Sequence, residues 1–484
     1  MSASEALTRN SGAVSRRSPS LRARLGHLSS RLGRGRYLAL PLAALLLVVA
    51  VQAWPQAAAP ASAPAPLAGG GGTDSLSDLT PAGELVAVAG VDTTDTDQRI
   101  AFWQERLRAT PTSDTSWTYL GDLYDLKARQ TGDISNYGSA RDAYQNAIDI
   151  SPGSPMAGLG LARISATLHD FPGAMTAATN VLEEYPTADA ALAIIFDAAY
   201  ELGDLENAER ALALLGERVD SPAVIVRQAR LEFINGDIAA AQSLAAQAAT
   251  QSDDLAELPA SRAFFHYATA EYGLLAGDLD AASTGYAAAL DALPGYALAI
   301  AGQGRVAFAR GNLDEAIGHL ESAVAAVPRP DLVGYLGDLY ALRGDQAAAD
   351  GQYDTVEFIA GLSAAGSDQV YDREYAIFLA DHGRDAAKAV ELAAAELEQR
   401  QDVYGYDTLA WALQAAGRSD EALVNVERAL ALGTPDAKLL IHAGLIELAA
   451  GRDAEGRAHL EQGLALNPVF SPLVVDAARE ALGQ

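Results

Sequence analysis

Cysteine is absent from all 484 residues, which excludes disulfides, thiolate metal sites and a cysteine nucleophile. The absence does not fix the redox compartment, because a packed helical array of this size needs no staples. Histidine is scarce too: His27, His169, His266, His319, His382, His442 and His459 are scattered, and no pair has metal-ligand spacing. Phosphate loops are missing, since Gly158-Leu159-Gly160 and Gly302-Gln303-Gly304 fall inside helical patterns with no preceding strand. Serine, histidine and aspartate are present, but without geometry they define no triad. The chain therefore reads as a non-enzyme, with no catalytic residue, cofactor or metal ligand to name. Aromatic residues are only 7% while half the chain is hydrophobic, a balance that suits alanine-rich helices better than a sheet sandwich.

Charge is divided sharply. Residues 1–36 hold eight arginines against Glu5, whereas the rest of the chain has 26 basic and 62 acidic residues. Such an acidic body repels phosphates, so no nucleic-acid partner is expected. Next comes an uncharged span, Tyr37–Trp54 (YLALPLAALLLVVAVQAW). Its 18 residues cover about 27 Å as a helix, just enough to cross a bilayer's hydrocarbon. The arginines before it predict a cytoplasmic N-terminus and an extracytoplasmic body on a single-pass cell-membrane anchor. The rival reading is a cleaved signal peptide and a secreted body, since Ala57-Ala58-Ala59 and Ala61-Ser62-Ala63 offer processing sites. Residues 55–97 read as a linker, rich in Pro and Ala before the run Gly69–Gly72. A flexible chain of that length reaches roughly 35 Å. Asp92-Thr93-Thr94-Asp95-Thr96-Asp97 lacks the glycine and distal glutamate of a calcium loop, so helix capping is expected, with Ile100, Trp103 and Leu107 on one face behind it.

From there the sequence repeats. Ala297–Pro328 shows the unit: Ala297, Ile300, Ala301, Gly304 and Phe308 at helical spacing, then Gly311-Asn312-Leu313-Asp314 as a turn. Ala316, Leu320 and Ala323 follow on a second helix before Pro328. Small residues at Gly304, Ala316 and Ala323 let the two backbones approach. Turn glycines at Gly203, Gly236, Gly277, Gly311, Gly344, Gly383, Gly417 and Gly451 are spaced 33, 41, 34, 33, 39, 34 and 34 residues apart. The two long intervals predict insertions near Gln251–Pro259 and Gly361–Asp368. Earlier units fit through Trp117, Leu120, Gly121, Tyr124, Ala140, Tyr144, Ala147 and Pro152, then Ala162, Ala174 and Pro186. A hairpin this short cannot bury its apolar face alone, so the units must stack.

The unit resembles the tetratricopeptide repeat, whose small positions, turn glycine and closing proline match Gly304, Ala316, Ala323, Gly311 and Pro328. The resemblance covers about residues 98–482. It departs at Phe196, where the family prefers a small residue, and at Lys388 and Gly456, which replace the usual alanine. It implies an all-α, right-handed superhelical solenoid of about ten helix hairpins over residues 98–468, with a capping helix in 469–484 and one transmembrane helix ahead. It also implies a concave groove that takes a peptide or helix of a partner protein.

The family places one position of each first helix on that concave side. Here it reads Asp122, Arg163, Asp197, Arg230, Glu271, Arg305, Asp338, then Ile377, Trp411 and Leu445, with Tyr404 also facing inward. The alternating charges are either an ion-pair ladder between neighbouring helices or a track for a charged peptide. The apolar end is either an anchor for the partner or a seat for the closing helix. Arg163, Arg230, Arg305, Asp338, Ile377, Tyr404, Trp411 and Leu445 are thus the partner-binding candidates, and the partner itself is unnamed by the sequence. The family's carboxylate clamp of clustered Lys, Asn and Arg is not matched. The expected role is a membrane-tethered extracytoplasmic scaffold for a protein or peptide partner in an envelope complex. The alternative is an accessory of a transporter or cation-handling system acting through its acidic surface.

Overall fold

The computed structural model describes residues 92–133, 135–365 and 371–484, so Tyr37–Trp54 and the segments flanking it lie outside the described residues. The described residues form 22 helices and no strand. None of those helices is long and apolar enough to cross a membrane. The first, α1 (Thr94–Ala109), starts where Asp92 accepts a hydrogen bond from the Thr94 amide at 2.9 Å. Its Ile100 and Leu107 are buried against Leu120 and Leu123 of the next helix.

Ten hairpins follow. They pair α2 (Asp114–Thr131) with α3 (Ser135–Ile150), α4 (Pro155–Thr167) with α5 (Phe171–Glu184), and α6 (Asp189–Glu201) with α7 (Leu205–Gly216). Then come α8 (Pro222–Ile234) with α9 (Ile238–Asp254), α10 (Pro259–Leu275) with α11 (Leu279–Ala292), and α12 (Ala297–Ala309) with α13 (Leu313–Ala326). The last four are α14 (Pro330–Arg343) with α15 (Gln346–Ala365), α16 (Asp372–Asp381) with α17 (Ala386–Gln399), α18 (Val403–Ala415) with α19 (Ser419–Ala429), and α20 (Ala437–Ala449) with α21 (Asp453–Leu466). A closing helix, α22 (Val474–Leu482), packs on α20 as a further first helix would. First helices also touch one another along the array, as in α10 with α12 and α18 with α20. The protein is an all-helical solenoid.

The punctuation between the two helices of a hairpin is physical. A residue in left-handed conformation ends the first helix, and in most hairpins an aspartate caps the second. Asp204, Asp237 and Asp278 each accept from the amide three residues on, at 3.2, 2.9 and 2.9 Å. At the crossing, Ala316 and Ala323 are wholly buried, and a Cβ on Gly304 would collide with Leu320. Where the repeat pattern departs, the packing adjusts. Arg384 is an extra residue in its turn, so Ala389 takes the buried crossing place while Lys388 points out to Glu391 at 2.9 Å. Gly456 faces Gly444, and a Cβ on either would lie 2.7–2.8 Å from the other's carbonyl oxygen. Phe196 is accommodated whole, with no exposed surface. The first expected insertion lengthens α9, with Ala256 at a positive φ of 51° in the loop after it, and the second lengthens α15 as far as Ala365, its remainder lying outside the described residues.

The array also touches itself far along the chain. The turn after α8 meets the loop before α20, where the Thr434 hydroxyl donates to the Ile234 carbonyl at 2.7 Å across 200 residues. The turn after α10 meets the end of α21, where Asn467 Nδ2 donates to the Leu274 carbonyl at 2.8 Å across 193 residues. Arg400, between α17 and α18, pairs with Glu201 across 199 residues and stacks over the Phe171 ring at 4.8 Å. Two windings of hairpins are therefore stacked in contact, and Ile234, Val403 and Leu439 form a small buried core between them.

Candidate functional site

The inner charges are organised around buried tyrosines. Tyr144, fully buried, donates its hydroxyl to Asp122 at 2.7 Å and accepts from Arg163 at 3.2 Å, while Arg163 also reaches Asp125 at 3.1 Å. The same unit recurs as Glu271, Tyr286 and Arg305, with the guanidinium 2.5 Å from the carboxylate. It recurs again as Asp338, Tyr353 and His382, where hydroxyl and imidazole both lie 2.8 Å from one carboxylate oxygen. Glycines make room for each ring: Gly121 and Gly160 flank Tyr144, Gly302 faces Tyr286, and Gly337 faces Tyr353. Burial beside a carboxylate raises the Tyr144 and Tyr286 phenols well above their ordinary range. His382 faces an acceptor at each nitrogen, Asp338 and the Phe378 carbonyl at 2.7 Å, an arrangement that favours its charged form. Burial, the largest single influence, opposes that charge, but the bond and charge of Asp338, the Phe378 carbonyl and the charge of Asp381 together outweigh it and raise the His382 pKa.

The alternation is thus a set of separate rungs. Arg305 places its Nη2 on Glu271 and Tyr286, both in the preceding hairpin, and leaves Asp338 to His382. Arg230 likewise turns to Asp197 at 3.1 Å and Glu201 at 2.7 Å rather than to Glu271. Asp197 holds a second guanidinium, Arg227, which has no exposed surface. Of the apolar candidates, Trp411 and Leu445 pack against the cluster that Val474, Val475 and Ala478 of the closing helix form with Ile441 and Leu460. Trp411 also donates to Asp381 at 2.7 Å and stacks parallel on His442 at 4.1 Å. Ile377 is half-buried on α16.

A cavity of about 570 Å³ opens where the windings meet. The first winding contributes Tyr200 and Glu201 from α6, Arg230 and Phe233 from α8, and Phe264, Tyr267, Glu271 and Tyr272 from α10. The second contributes Arg373, Arg400, Asp402, Tyr404, Tyr406 and Arg428. Of the sequence candidates, Arg230 and Tyr404 line this cavity and the other six do not. Arg373, Arg400, Tyr406 and Arg428 carried no signal in the repeat pattern, because the cavity they line exists only where the other winding meets them. Burial opposes the charge on Glu201, but Arg400, Arg230 and Arg373 outweigh it and hold its pKa at about 2. His169, at the turn beside Arg400, is driven by burial and that arginine down to about 3, so it stays neutral.

No family model and no curated protein matches the chain. Among solved structures it is similar to the APC/C hetero-tetramer Cut9–Hcn1, at 14% identity and TM-score 0.30, covering 81% of this chain and 94% of that one. It is also similar to human IFIT1 dimer with m7Gppp-AAAA, at 15% identity and TM-score 0.43 over 66% and 72% of the two chains. Yeast Tom70 matches at 14% identity and TM-score 0.31, over 81% and 93%.

Proposed function

We propose that the protein is a membrane-tethered extracytoplasmic scaffold that holds a segment of a partner protein against the inner wall of its array. The observation that supports this reading is the cavity between the windings, an aromatic and arginine-rich concavity built mainly from first helices α6, α8, α10, α16 and α18, with Arg400 from the loop before α18 and Arg428 from α19. Its volume is about 570 Å³, within the range of sites that enclose a few convergent side chains. Tyr404 and Arg230 both line it, one from each winding. The tether rests on Tyr37–Trp54 and the arginines ahead of it. Site-specific cross-linking from position 404 in intact cells tests the reading. A single protein captured reproducibly, and lost with Arg428→Glu, a reversal at an exposed cavity residue in a chain that still melts normally, is the expected result. Capture unchanged by that substitution would remove the cavity from the reading. Protection of the array from protease added outside the cell would remove the topology.

A further inference from the structure

The cavity's charges do not balance, and the imbalance sits at one place. Four guanidiniums and three carboxylates line it. Each carboxylate is already held by arginine: Glu201 by Arg230 and Arg400, Asp402 by Arg373 at 3.1 Å, and Glu271 by Arg305 at 2.5 Å. Arg428 is the lining arginine that holds no carboxylate among the described residues. Its side chain is exposed, it lies over the Tyr406 ring at 5.3 Å, and it donates to the Tyr406 hydroxyl at 3.1 Å. That hydroxyl accepts from Arg428, so its own proton is left without an acceptor among the described residues. Two donors, one of them charged, therefore stand together at the edge of a cavity whose other walls include Phe233, Phe264 and Val403.

Resting on the scaffold reading, we infer that the segment bound here presents one acidic side chain between aromatic or large apolar residues, with its carboxylate on Arg428 and Tyr406. The aromatic flanks fill the space against Phe233 and Phe264, where burial gives affinity without direction. The acidic group supplies orientation through a charge-assisted bond from the guanidinium. The acidic body repels such a segment at long range, but that repulsion is screened beyond about 10 Å at 0.1 M salt. Selectivity is therefore local to the cavity.

Isothermal titration of the full-length protein in detergent compares three doubly blocked peptides: N-acetyl-Phe-Glu-Phe-amide, its Gln analogue and its Lys analogue. The Glu peptide is expected to bind roughly tenfold tighter than the Gln peptide, the worth of one charge-assisted hydrogen bond. The Lys peptide should bind weakest. Arg428→Gln, a change at an exposed side chain, should leave melting unaltered and bring the Glu and Gln peptides to equal affinity. Equal binding of Glu and Gln peptides to the parent chain overturns the inference and leaves the scaffold reading standing. A Glu preference that survives Arg428→Gln overturns the assignment to this arginine. If none of the peptides binds at millimolar concentration the inference also falls, and cross-linking from position 404 then decides the scaffold reading by itself.

Discussion

The turns of the first five hairpins and those of the last five share one local design and sit in different surroundings. Gly132, His169, Gly203, Gly236 and Gly277 in the first set, and Gly311, Gly344, Gly383, Gly417 and Gly451 in the second, all have positive φ. In the first set the second winding lies directly on the turn. A Cβ on Gly203 would stand 2.5 Å from the Gln401 carbonyl, one on Gly236 would stand 3.3 Å from that of Gly433, and one on Gly277 would collide with that of Leu466. In the second set a Cβ would meet nothing within 4 Å among the described residues. Glycine serves the backbone alone in the later turns; in the earlier ones at 203, 236 and 277 it also admits another chain segment. Identical sequence signals therefore hide two kinds of position.

The largest expected difference between the two regions is electrostatic. Arg400 is 9% exposed and bridges the windings through Glu201, while Arg418 in the open set pairs with Glu421 at the surface. Arg400→Ala should cost about 3–5 kcal/mol, as breaking a buried pair does, and Arg418→Ala should leave the denaturation midpoint in place. Equal effects would mean the winding contact contributes nothing to stability.

Glycine substitutions sharpen the comparison at a smaller scale. Gly277→Ala combines left-handed strain of about 1–2 kcal/mol with overpacking of about 1–3. Gly451→Ala carries only the strain. Urea denaturation of both variants should rank them in that order, and the reverse ranking would place the second winding away from the turn.

Acid should loosen the contact between windings first. His169 has a folded pKa of about 3 against 6.5 unfolded, so the unfolded chain binds the extra proton and stability falls as pH drops below 6.5. Glu201, held at about 2 against 4.5, adds a loss between pH 4.5 and 2. His169→Asn, which tolerates the left-handed conformation, should flatten the melting profile between pH 6.5 and 5.

The smallest effect has the opposite sign. His382 has a raised pKa, so its stabilisation is complete below 6.5 and is lost as pH rises through the folded value. Nuclear magnetic resonance titration of His382 and His169 should show the two moving apart, His382 above and His169 below the ordinary histidine range.

The repeat was legible because its causes are local. Small residues at Gly304 and Ala316 and the turn glycines act within one hairpin, and they recur near the repeat period. The inner charges were legible as an alternation, but not as rungs. Tyr144, Tyr286 and Tyr353 sit on second helices, outside the register that drew attention to the charges, and their hydroxyls settle which arginine serves which acid. Lys388 seemed to occupy a crossing until the extra turn residue Arg384 moved the register by one.

By itself, then, the sequence determined the hairpin, its period, the helical class and the division between a basic lead, an apolar span and an acidic body. Only the tertiary structure decided that Arg400 would lie on Glu201, Thr434 on Ile234 and Asn467 on Leu274, and so where the cavity opens. The physical reason is accumulation. Each hairpin sets a small rotation against its neighbour through side-chain packing, and the meeting of two windings depends on the sum of those rotations over some 200 residues, which no single repeat encodes.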